Sequence, residues 1–100
     1  MKKKTIFVVY TNEKVNAKEA GRLKRYAFNT TAPIKVGDML QSPEYSTKMQ
    51  VVNILDSAHK YFNGSTGELS DKFNSTSQWE IRDFIIREDS ETAVYGKIIK

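Results

Sequence analysis

Six residues in the first half of the chain have the types and spacing that suit nucleic-acid recognition: Arg22, Lys24, Arg25, Tyr26, Phe28 and Lys35. Ring faces stack on unpaired bases, and Lys and Arg neutralise phosphates. Barrels that bind single strands interleave the two. The same pattern has a second source. Tyr26 and Phe28 are two apart in a run that reads as a strand, so they share a face, and a core fills such a face with rings. Exposed rings make a platform and buried rings make a core; at this level both readings stand.

No other cluster offers a reaction. His59 is the only histidine and lies beside Lys60 and Tyr61 after a strand. A general base needs an orienting partner and a nucleophile, and a metal needs further ligands. His59 therefore reads as a surface or turn residue. Glu80 and Asp83 are three apart, which on a strand puts them on opposite faces. Glu88, Asp89 and Glu91 sit in a polar turn without calcium-loop spacing. There is no phosphate-cradling P-loop and no Gly-x-Gly-x-x-Gly. The expectation is a protein that is not an enzyme and that carries no cofactor and no metal site.

Charge and cysteine use narrow the class. Residues 1–50 hold ten Lys/Arg against four Asp/Glu, giving +6, and residues 51–100 hold six against eight, giving −2. A basic half can face phosphate, or it can be a solubilising tail, since Lys2, Lys3 and Lys4 alone supply three of those charges. Zero cysteines exclude disulfides, zinc ribbons, iron–sulfur ligation and thiol catalysis. A secreted domain of this size usually needs such staples, so the expected location is cytoplasmic. The lysine-rich start resembles the charged end of a signal peptide, but the apolar run from Ile6 to Tyr10 is too short and no small-residue cleavage site follows. No stretch approaches membrane-span length, so no membrane is expected as a partner. Asn29-Thr30-Thr31, Asn63-Gly64-Ser65 and Asn74-Ser75-Thr76 match glycosylation sequons and are read as turn chemistry.

The elements that must position these residues are short. Residues 5–10 are β-branched or aromatic throughout and read as a strand buried on both faces or inside a closing barrel. Asn16 to Glu19 has capping-box spacing, which suits one helical turn or a plain hairpin loop over 11–21. Residues 22–29 read as a strand with Tyr26 and Phe28 on one face and Leu23, Arg25 and Ala27 on the other. Pro33 breaks the pattern, and Gly37-Asp38 turns the chain into Met39 and Leu40. Residues 47–55 form the next strand, with Met49, Val51 and Leu55 opposing Val52 and Ile54. In 56–77, Asn63-Gly64 signals a hairpin whose arms are Tyr61-Phe62 and residues 69–73; a helical turn at 56–62 is the alternative. With little apolar mass and many Ser and Thr, 57–76 is expected to be the most mobile internal segment, or else to extend as a ribbon that touches a partner. Residues 78–87 read as the longest apolar strand, with Trp79 and Phe84 in the core. Residues 92–99 read as the last, with Gly96 marking a bulge or a close backbone approach.

Short strands between turn signals predict a mostly β fold over residues 1–100. It is one small antiparallel barrel, SH3-like or OB-like, or a compact sandwich of five to six strands. Arg25-Tyr26-Ala27-Phe28, then Val36-Gly37-Asp38-Met39-Leu40, then Ser42-Pro43-x-Tyr45 and Val51-Val52-x-Ile54 follow at close spacing. Over residues 25–54 this resembles the opening of small SH3-like barrel proteins of phage and mobile elements, and it is similar in part to the N-terminal barrel of primosomal helicases. The resemblance implies a barrel that binds DNA ends or protein partners. The functional expectation is a small binding domain taking single-stranded nucleic acid. The alternative is a protein–protein module or assembly subunit acting through a sheet edge or the 56–77 loop.

Overall fold

The computed structural model describes residues 2–41, 46–86, 94, 95 and 97–99. Its centre is β1 (Lys4–Tyr10), in which Thr5 through Val9 are all buried. Antiparallel β2 (Arg25–Thr30) lies on one side of it and β4 (Met49–Leu55) on the other. Beyond β4 come β3 (Met39–Gln41) and β10 (Lys97–Ile99), in the order β10-β3-β4-β1-β2. The chain enters β3 through a turn in which Asp38 Oδ2 accepts the Lys35 N–H at 2.9 Å. Gly37 supplies the positive φ of 97° that this turn requires.

Two short segments link the edges of this curled sheet. The Asn29 N–H on β2 donates outward to the Arg82 carbonyl at 3.0 Å, and Thr30 Oγ1 donates to the Phe84 carbonyl at 2.8 Å. These bonds dock β8 (Phe84–Ile85), which pairs in parallel with β9 (Val94–Tyr95). Only residue 96 separates β9 from β10 on the far edge. Inside the curl, Ile6, Val8, Phe28, Ile34, Leu40, Met49, Val51 and Phe84 form one core.

The outer face of β1 is covered too, which is why both of its faces are apolar. A second sheet of β5 (Tyr61–Asn63), β6 (Leu69–Ser70) and β7 (Gln78–Glu80), in the order β6-β5-β7, lays Phe62 onto Phe7. Their ring centroids are 6.1 Å apart, and Ala27, Ile81, Val52, Leu55 and Leu69 complete the layer. A buried polar triangle ties the two sheets together. Thr5 Oγ1 donates to Asn29 Oδ1 at 2.6 Å, Asn29 Nδ2 donates to the His59 carbonyl at 2.8 Å, and the His59 N–H donates to Thr5 Oγ1 at 2.9 Å.

The fold is mostly β, as the sequence indicates, and the differences are local. Among the described residues there are ten strands rather than five or six, because long runs are broken and the 56–77 region supplies its own sheet. The hairpin arms do pair, Phe62 with Leu69 and Tyr61 with Ser70, but the second arm stops at Ser70. The 78–87 run splits into β7 and β8 around Ile81–Asp83. Phe84 is in the core, whereas Trp79 on the outer strand of the small sheet is 42% exposed. In β4 the register with β1 jumps from Phe7↔Asn53 to Val8↔Val51. Val52 is the extra residue of a bulge, so Ile54 joins Met49 and Val51 in the inner core and Leu55 joins Val52 in the outer layer. β2 begins at Arg25, not Arg22, because α1 (Ala17–Ala20) and the turn after it take up the preceding residues. Asn16 caps α1 by accepting the Glu19 N–H at 2.9 Å. Of the sequons, Asn63 is turn chemistry, accepting the Ser65 and Thr66 N–H groups, whereas Asn29 is buried in β2. Gly96, Pro43 and the 88–91 carboxylates lie outside the described residues.

Candidate nucleic-acid interface

Strand alternation divides the six sequence-predicted residues instead of assembling them. Even-numbered side chains of β2 point into the curl and odd-numbered ones point away. Phe28 is only 8% exposed and packs on Phe84 at 6.3 Å between centroids, so no base can reach its ring; it is a core residue. Tyr26, two residues closer to the open end, is half-buried. Lys24 follows it outward, with Nζ 5.5 Å from the Tyr26 ring centroid. Arg25 faces the other way and lies over the Phe7 ring, its Cζ 4.6 Å from the centroid. Arg22 sits after α1, with Nη1 3.5 Å from Glu19 Oε1. Lys35 is exposed on the 35–38 turn.

At the open end of the curl the structure brings in a residue that the sequence analysis did not select. The β1–β2 register pairs Val8 with Tyr26 and Val9 with Arg25, and Tyr10 follows as the last residue of β1. Tyr10 meets Tyr26 edge to face, with centroids 5.2 Å apart and an interplanar angle of 78°. Together with Ser46 and Thr47 the two tyrosines line an open cleft of about 350 Å³. The signal was present in the alternation: Tyr10 follows Ile6 and Val8 at intervals of two, and an antiparallel partner brings the far end of β1 beside the start of β2. The chain matches no protein-family model, no curated protein and no solved structure.

The cleft geometry offers two ring surfaces and two hydroxyl-bearing residues around one opening, with a cation near one of the rings. Among the described residues it holds no paired carboxylates and no histidine. Asp83 forms an ion pair with Lys3 at 3.1 Å, while Glu80 is exposed on β7. His59 is half-buried in the segment before β5, its backbone engaged in the polar triangle and Nδ1 3.6 Å from Asp71 Oδ1. Among the described residues no three His, Asp or Glu side chains are grouped to hold a metal ion, and no helix is long and apolar enough to cross a membrane.

Proposed function

We propose that the chain is a binding domain that takes single-stranded nucleic acid at the Tyr10–Tyr26 cleft. The observation that carries this reading is the half-buried tyrosine pair with Lys24 held 5.5 Å from the Tyr26 ring. A ring edge-packed on its neighbour keeps its orientation before any ligand arrives, so a stacking base need not order it. Stacking contributes on the order of 1–3 kcal/mol per base, and Lys24 adds a phosphate contact that weakens as salt rises. Arg25 faces the opposite side of β2 and Arg22 is engaged by Glu19, so with exposed Lys35 they add only to the overall positive charge of this half and do not touch the stacked base. They steer rather than specify. The test is fluorescence anisotropy of a labelled oligothymidylate across a salt series. Tyr26→Ala should lower affinity at every salt concentration, and Lys24→Gln should flatten the salt slope by about one. No measurable affinity of the wild-type chain at low salt would end this reading.

A second reading rests on a different surface. On the outer face of the small sheet Phe73 is 60% exposed and meets Tyr61 at 5.7 Å between centroids, with Lys60 Nζ 5.6 Å from the Tyr61 ring. A protein partner docking on the 56–77 region would anchor there, and Phe73→Ser would abolish its binding while sparing any oligonucleotide affinity.

A further inference from the structure

Behind β2, on the side away from the tyrosine cleft, a second opening of about 330 Å³ lies between α1, the 35–38 turn and β4. Its walls are apolar: Ala17 and Ala20 from the helix, Val36 from the turn and Val52 from the bulge. Val36 is 61% exposed, a branched apolar side chain left facing water at the rim. Three polar residues also line it, Arg25, Gln50 and Asn53.

The cation at this site is an exposed arginine whose Nη2 lies 3.5 Å from where a Cβ on Gly67 would stand. Arg25 rests on the Phe7 ring, and it has no carboxylate partner among the described residues, whereas Arg22 nearby is engaged by Glu19. Lys14 adds a second positive charge; its Nζ is 3.5 Å from where a Cβ on Gly37 would stand, beside the Val36 wall. The helical wall is fixed from below. Buried Gln50 accepts the Val15 N–H at 2.7 Å and donates to the Val15 carbonyl at 2.9 Å, clamping the strap that leads into α1 onto β4. A guanidinium presents a planar fork that matches a carboxylate, and apolar walls suit an aliphatic side chain better than a sugar. We propose that this groove takes a carboxylate carried on an apolar residue, its occupant being the C-terminal residue of a peptide chain. The side chain would lie against Ala17, Ala20 and Val36, the carboxylate would meet Arg25, and the Asn53 amide at the rim would meet the preceding peptide group.

The proposal stands apart from the nucleic-acid reading, and its probes carry neither base nor phosphate. The full chain, labelled with nitrogen-15, is titrated with N-acetyl-leucine and, separately, with the uncharged N-acetyl-leucinamide. The acid should shift the amide signals of Ala17, Ala20, Val36 and Val52, and the amide probe should bind about tenfold more weakly, as expected on losing a charge-assisted hydrogen bond. Arg25→Gln should bring the two affinities together, and Val36→Asp should weaken both. Equal affinities in the wild-type chain, shifts confined to other residues, or no shift with either probe would overturn the proposal. The comparison of the two probes on the unaltered chain decides it without depending on any variant's stability.

Discussion

Replacing Gly64 with alanine isolates one contact of the small sheet. A Cβ on Gly64 would stand 2.4 Å from Trp79 Cζ3 and 2.6 Å from Cη2. Ordinary carbon contacts lie at about 3.5–4.0 Å, so the ring must retreat by about 1 Å or swing away. The obstacle is space and not backbone conformation, because the only positive-φ glycines among the described residues are Gly37 and Gly67. If the ring leaves Phe62, now 5.3 Å away, it gives up the buried part of its surface. A tryptophan buries up to about 250 Å² when fully enclosed. With Trp79 42% exposed, roughly 145 Å² is at stake, worth about 3.6 kcal/mol at 25 cal/mol per Å² as an upper bound. A partial shift places the cost at about 1–3 kcal/mol, the usual range for overpacking. That lowers the melting temperature by roughly 5–15 °C in a domain of this size. Trp79 is the only tryptophan, so its emission reports the displacement directly and should move to longer wavelength. Gly21→Ala is the control, since its added carbon would meet nothing closer than 3.5 Å. In a Trp79→Ala background the Gly64→Ala penalty should vanish. Unchanged emission and melting temperature in Gly64→Ala would refute the placement of the ring.

Asn29→Ala should cost about 2–4 kcal/mol in urea denaturation, because it strands both Thr5 Oγ1 and the His59 carbonyl in a buried site; a loss below about 0.5 kcal/mol would mean that water replaces the amide freely. Trp79→Ala should cost less than the roughly 3–5 kcal/mol of a fully buried ring, since nearly half of its surface is already in water, whereas Phe84→Ala should reach that full range. Gly37→Ala should destabilise by about 1–2 kcal/mol through its φ of 97° alone, measured against Gly21→Ala, which should be neutral or slightly stabilising.

What the residues disclosed follows from how local each signal is. The β1 strand, the Asn16 cap, the Gly37 turn and the hairpin arms are written in adjacent side chains, and each appears near where its pattern places it, though the second arm stops at Ser70 and the 11–21 pattern leaves a helical turn and a plain loop open. Trp79 and Leu55 did not follow, because burial on an outer strand depends on what lies across the sheet and parity beyond a bulge depends on a partner strand's register. The candidate site shows the same division. Lys24 and Tyr26 are neighbours in the chain and neighbours in space. Phe28 was separated from them by its depth in the curl, and Tyr10 joined them through a strand pairing invisible in any single window. Both openings described above are assembled from segments far apart in sequence, so only the fold reveals them.

The linkage of the two sheet edges by β8 and β9 sets the order in which a growing chain can finish folding. Thr30 meets its partner carbonyl on Phe84 only after another 54 residues have been added. Until then β2 and β3 present unpaired N–H and C=O groups, the template on which chains pair with each other. Long-range pairing of this kind is also slow, because the loop must close before any contact rewards it. Synthesis thus leaves a window in which β1 to β4 exist with open flanks, and conditions that lengthen it, such as high expression or a pause before residue 84, should favour aggregation over soluble product. Slowing the appearance of competing chains, by cooler or weaker induction, is the corresponding remedy.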